Sequence, residues 1–155
     1  MMELSDILVP DAVRASVNVQ SKKRLLQEVA EFAAATFQLP EELVLKSLQE
    51  RESLGPTGVG HGVAIPHARI PGLKSVVGLF VRLDQPVDFD SMDRKPVDLV
   101  FVLLAPKSAG AEHLKALARV SRTLRDETVC SKLRSTNDAQ ALFAILTAGE
   151  TSQAA

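Results

Sequence analysis

Leu25, Val29, Ala33 and Phe37 recur every fourth residue, and this spacing predicts a helix over about 22–37 with Ser21 as its N-cap. "LPEELVLKSLQERESLG" predicts a second helix, with Pro40 at its first position and Glu41 and Glu42 in the electropositive first turn. Gly55-Pro56 ends it, which leaves Arg51 in the last turn. The period then changes. "GVAI" (62–65), "VVGLFVRL" (76–83) and "VDLVFVLLA" (97–105) are rich in β-branched and apolar residues and read as strands, with a short further strand at 87–89. The third run barely alternates, as expected of a strand covered on both faces. After Pro106 the pattern returns to helices. One is capped by Ser108 and reaches about 125, with Leu114, Leu117, Ser121 and Leu124 as its buried stripe; "ETVCSKLRS" is a short second, and "NDAQALFAILTA", capped at Asn137, is a third. Helices, then strands, then helices predict an α/β fold in which one sheet is sandwiched between helix layers.

The chain has 155 residues, enough for one domain with a proper core, here placed at 1–148 with "GETSQAA" (149–155) as a disordered tail. Aromatic residues make up only 4%, with neither Trp nor Tyr, so the core is built from aliphatic residues and six Phe. A formal net charge of -1 gives no electrostatic reason for nucleic acid or an anionic membrane as partner. The single cysteine, Cys130, allows no internal disulfide and fits a reducing compartment. "MMELSDILVP" has no secretory pattern, and "VDLVFVLLAP" is far short of the roughly 20 residues of a spanning helix. A cytoplasmic protein without membrane insertion is the expectation.

"TGVGHGVAIPHAR" (57–69) is the unusual stretch, holding two of only three histidines. Gly58, Gly60 and Gly62 alternate, so an extended chain would present a bare face there; a flexible turn is the plainer alternative. The spacing matches neither a dinucleotide-binding nor a phosphate-loop motif. Pro66 lacks an N–H and is expected to end the strand, placing His67 at the strand's C-terminal end, where open α/β sheets carry ligand sites. On the residues alone, His67 is either a partly buried ring with a local partner or a reactive one.

"RESLGPTGVGHGVAIPHAR" resembles the active-site signature of the type-2 enzyme IIA domains of the bacterial phosphotransferase system, the fructose, mannitol and nitrogen-regulatory group, and "AIPH" is its most specific piece. The resemblance continues through "VFVLLAP", "EHLKALARVSRTL" and "LFAIL", while "SVNVQSKKRLLQEVAEFAA" is most similar to the stand-alone nitrogen-regulatory members. The resemblance implies the enzyme IIA fold, a mixed sheet between helices. It implies a phosphocarrier in which His67 accepts a phosphoryl group, through Nε2, from the histidine-containing phosphocarrier protein. It further implies action through phosphorylation state on a kinase or transporter, or passage of the group to a IIB domain of a fructose- or mannitol-type permease.

The chemistry needs neither metal nor cofactor. Neutral imidazole is nucleophilic, and transfer between two histidines is nearly isoenergetic, so alignment and charge stabilisation suffice. The resemblance assigns that stabilisation to His113 and Arg51, the latter a permanent charge that can fork onto phosphate. Thr57 and Gly58 are weaker binding candidates. His61 stands where the group more often has a small polar residue, so no role carries over; an exposed ring is expected. A rival of another class is a metal hydrolase using His61, His67 and His113.

Overall fold

The computed structural model describes residues 2–154, with side chains described through residue 148. Two short 3-10 turns, Leu4–Asp6 and Pro10–Ala12, lead into β1 (Val13–Val17). Helix α1 (Lys22–Phe37) follows, and the Ser21 hydroxyl caps it by accepting the Arg24 N–H at 3.1 Å. Helix α2 (Glu41–Ser53) starts one residue later than expected. Pro40 is its N-cap rather than its first turn, with its carbonyl accepting the Val44 N–H.

Strands β2 (Gly58–Gly60) and β3 (Val63–Ala64) form an antiparallel hairpin. Strands β4 (His67–Ile70), β5 (Val77–Val87) and β6 (Val97–Pro106) complete one mixed sheet in the order β1-β5-β6-β3-β2, with β4 also on β6. Of the short strand expected at 87–89, only Val87 lies in the sheet, as the last residue of β5. Strand β6 is the hub: β5 pairs antiparallel with one edge, and β3 and β4 pair parallel with the other. Val97 and Leu99–Ala105 are buried, residues of both alternating sets included, so both faces of β6 are covered. Helices α1 and α2 pack together and α2 packs on β4. On the other side of the chain order, α3 (Ala111–Leu124) packs on β6, α4 (Glu127–Arg134) joins α3 to α5 (Ala139–Ala154), and α5 packs on β1. The sandwich expected from the element order is the fold found. Phe80, Phe89 and Phe101 are wholly buried, and each such side chain contributes about 1.5–3 kcal/mol of burial free energy.

Three local expectations change. β3 stops at Ala64, ahead of Pro66, but Pro66 does not end the pairing with β6. Val63 pairs with Leu99 and His67 with Leu103 in one continuous register, because the Pro66 carbonyl still accepts the Leu103 N–H at 2.9 Å. His67 therefore opens a second strand segment. Helix α3 begins at Ala111 with Gly110 as N-cap, since the chain after Pro106 first makes a tight turn closed by Ala109 N–H onto the Pro106 carbonyl. Its buried stripe is His113, Ala116, Val120 and Leu124, while Leu114 is 68% exposed. At α5, Asp138 rather than Asn137 takes the cap, accepting the Ala141 N–H at 3.1 Å. The tail expected at 149–155 falls on residues whose side chains lie outside the described set.

Candidate functional site

Three elements bring His67, Arg51 and His113 together: the start of β4, the last turn of α2 and the first turn of α3. His67 Nδ1 lies 2.8 Å from the Ile65 carbonyl. A carbonyl can only accept, so Nδ1 carries the proton and Nε2 holds the lone pair. Arg51 Nε donates to that Nε2 at 3.2 Å, and Arg51 Nη1 donates to the Gly55 carbonyl at 3.0 Å. The His113 ring meets the His67 ring edge-on, with centroids 5.5 Å apart and planes at 73°. His113 is only 7% exposed, and its buried Nε2 has no hydrogen-bond partner among the described residues.

Burial depresses the proton affinity of His67 most. The Arg51 charge adds to the depression, while the Ile65 carbonyl and the Glu52 charge oppose it. His113 is depressed by burial first, then by His67 and Arg69. Both rings are therefore neutral at neutral pH. The result is a nucleophilic nitrogen on His67, held under a guanidinium, beside a second neutral ring with an uncommitted nitrogen. That arrangement can accept an electrophilic anion such as a phosphoryl group and neutralise its oxygens.

The weaker candidates sit differently. Thr57 is buried and its hydroxyl donates to Glu52. The bare face of Gly58 is filled by the Ser91 side chain, so the glycine alternation serves the protein's own close packing rather than a loose turn. His61, exposed as expected, sits at the hairpin tip at φ +57°; its N–H donates to Asp93 and its carbonyl accepts from Arg134, both at 2.8 Å. Among the described residues no three His, Cys, Asp or Glu side chains converge as a metal site, so the three-histidine hydrolase has no geometric support. Two concavities of about 1040 and 1030 Å³ lie along α3 and along the hairpin, and His67 lines neither.

Glu52 escaped the sequence reading. Its side chain is 6% exposed, and it binds Lys22 Nζ at 2.7 Å and both donors of Thr57. A signal was available: a carboxylate in the last turn of a helix opposes the helix dipole, so its presence there needs another cause. Arg69, two residues past His67 on β4 and felt electrostatically by His113, was also missed.

Among the described residues no helix is long and apolar enough to cross a membrane. Residues 6–149 match the family described as "Phosphoenolpyruvate-dependent sugar phosphotransferase system, EIIA 2". The chain is 52% identical over 145 residues to a nitrogen regulatory protein of Bradyrhizobium diazoefficiens, covering 94% of this chain and 95% of that one. The solved nitrogen regulatory protein IIA-Ntr of Neisseria meningitidis superposes with a TM-score of 0.87 at 38% identity, covering 93% of this chain and 99% of that one. The mannitol IIA of Escherichia coli shares the fold at a TM-score of 0.75 and 21% identity, over 89% and 97% of the two chains. With the signature, the helix–sheet–helix architecture and these relatives in agreement, the chain belongs to the EIIA type-2 family of the phosphoenolpyruvate-dependent sugar phosphotransferase system.

Proposed function

We propose that this protein is a regulatory phosphocarrier of the nitrogen-regulatory kind, taking a phosphoryl group onto His67 Nε2 from the phosphohistidine of the histidine-containing phosphocarrier protein. The observation that carries the reading is the tautomer: Nδ1–H is committed to the Ile65 carbonyl, which leaves Nε2 as the only nucleophilic nitrogen. The Nε2 lone pair attacks phosphorus in line, the donor's N–P bond breaks, and the donor imidazole leaves with the bonding pair. Arg51 shifts from Nε2 onto the equatorial oxygens as the donor docks, which frees the lone pair for this attack, and His113 Nε2, without a hydrogen-bond partner among the described residues, takes another of them. The phosphorylated ring bears positive charge, and the Ile65 carbonyl stabilises it as it would a second proton.

A group delivered on another protein's histidine needs an accessible face rather than a small-molecule cavity. The half-buried position of His67 outside both concavities supports that. The nitrogen regulatory names of full-length relatives at 52% and 40% identity support action through phosphorylation state rather than sugar delivery. Phosphoenolpyruvate with the general phosphotransferase proteins is expected to add one acid-labile phosphoryl group, and His67→Ala to abolish it. Full-rate histidine labelling of His67→Ala would overturn the assignment. Passage of the label onto a IIB domain would make the protein a sugar-specific IIA instead.

A further inference from the structure

Strands β2 and β3 pair so that Gly58 faces Ala64, which sets Thr57 opposite Ile65. In an antiparallel ladder two such residues exchange both N–H···O bonds. Only one is made here: the Ile65 N–H donates to the Thr57 carbonyl at 3.0 Å. The Thr57 N–H instead turns to Glu52 Oε2 at 3.3 Å, and the Thr57 hydroxyl donates to Glu52 Oε1. The Ile65 carbonyl, released from the ladder, is the one that holds His67 Nδ1.

We propose that Glu52 is a positioning residue for phosphoryl transfer: by intercepting the Thr57 N–H it leaves the Ile65 carbonyl free to fix the His67 tautomer, and with it the nucleophilic nitrogen. The role rests on His67 as phosphoryl acceptor. Glu52 is built for it. Lys22, the first residue of α1, neutralises the buried carboxylate at 2.7 Å and lies over the Phe89 ring at 4.6 Å, which fixes both ends of the pair. The same carboxylate anchors the turn from Ser53 to Thr57, whose Gly55 carbonyl orients Arg51. One side chain thereby sets the hydrogen-bond acceptors of both His67 and Arg51. Among the described residues the charges acting on His67 are those of Arg51 and Glu52, and of these only Glu52 favours its protonation; the His113 ring lies beside it.

The test has two arms. In the wild-type protein, NMR coupling across hydrogen bonds should run from the Thr57 amide to the Glu52 carboxylate carbon; coupling to the Ile65 carbonyl carbon would overturn the proposal whatever the variants do. In Glu52→Ala the freed Thr57 N–H should close onto Ile65. The His67 ring nitrogen shifts should then move from the Nδ1–H form toward a tautomer mixture, and phosphoryl transfer should slow about ten- to a hundredfold. Glu52→Gln keeps an oxygen acceptor and should restore the tautomer and most of the rate. An unchanged tautomer in Glu52→Ala, or a rate loss that follows only a lower melting temperature, overturns it. Failure of the wild-type protein to be labelled on His67 would refute the acceptor reading instead, and leaves the tautomer result intact.

Discussion

Arg51→Gln separates the two things the guanidinium does to His67. In the resting protein Arg51 donates to Nε2 at 3.2 Å and its charge helps depress the ring's proton affinity. In the transfer proposed for His67, that charge is needed on the phosphoryl oxygens. Gln retains a donor but no charge and no fork, so the loss is that of a charge-assisted hydrogen bond, about 1.5–3 kcal/mol. At 1.36 kcal/mol per decade this is roughly a ten- to 150-fold fall in the plateau rate. Removing the cation also lifts one of the two main influences that lower the His67 pKa; burial, the larger, remains. The acid limb of the rate profile should therefore move to higher pH while the plateau drops. Rapid-quench transfer from labelled phosphocarrier between about pH 5 and 8, with an NMR titration of the His67 ring, reads both effects. Arg51→Lys, a point charge without the fork, should fall between wild type and Gln. A plateau that stays at wild type, or an acid limb that moves to lower pH, would refute the reasoning.

Two further outcomes follow from the same geometry. His67 and His113 are both depressed from the ordinary 6.5, so just below that value the unfolded chain binds more protons than the native one and stability rises with pH. Their contribution is complete above about pH 6.5 and is lost as pH falls through the depressed values; His113→Asn should flatten that fall in a denaturation series, and an unaltered slope would contradict it. Gly62→Ala forces an L residue to φ +79° and drives its Cβ into the Arg134 guanidinium that clamps the hairpin tip to Asp98, so urea unfolding should show a loss of about 1–3 kcal/mol. Gly110→Ala, in open space with ordinary backbone, should stay within about 0.5 kcal/mol, and equal losses at both positions would remove the strain argument.

Where one periodic signal dominated, the sequence was enough. Helix α1 has its four-residue spacing and Ser21 cap where the residues put them, and the unalternating run 97–105 is the doubly covered β6. Helix α3 was misread by one position because "HLKALARVSRTL" offers two stripes of similar quality. Ranking by hydrophobicity turns Leu114 inward, yet the ring that goes in is His113. That exchange is unfavourable for burial alone, and it is what sets the His113 ring edge-on against His67. The cap was misplaced for a related reason: Ser108 is the better capping side chain, but the turn after Pro106 delays the helix until Gly110.

The motif also named His67, Arg51 and His113, and the structure gathers those three. What it could not name was the pair of backbone carbonyls that decide how they are held. Ile65 and Gly55 offer carbonyls like those of any residue, and nothing in their side chains announces that these oxygens are unclaimed. Whether a carbonyl is free depends on who takes the N–H opposite it. At Ile65 that depends on Glu52, thirteen positions away on another element and itself neutralised from α1. The residues proposed to react could thus be named from the chain itself, whereas the tautomer that leaves one His67 nitrogen unprotonated is a property of the closed tertiary structure. A mutation at Glu52 or Lys22 would leave "AIPH" intact and still change the chemistry proposed for His67, so a matching "AIPH" alone does not guarantee a working phosphoryl acceptor.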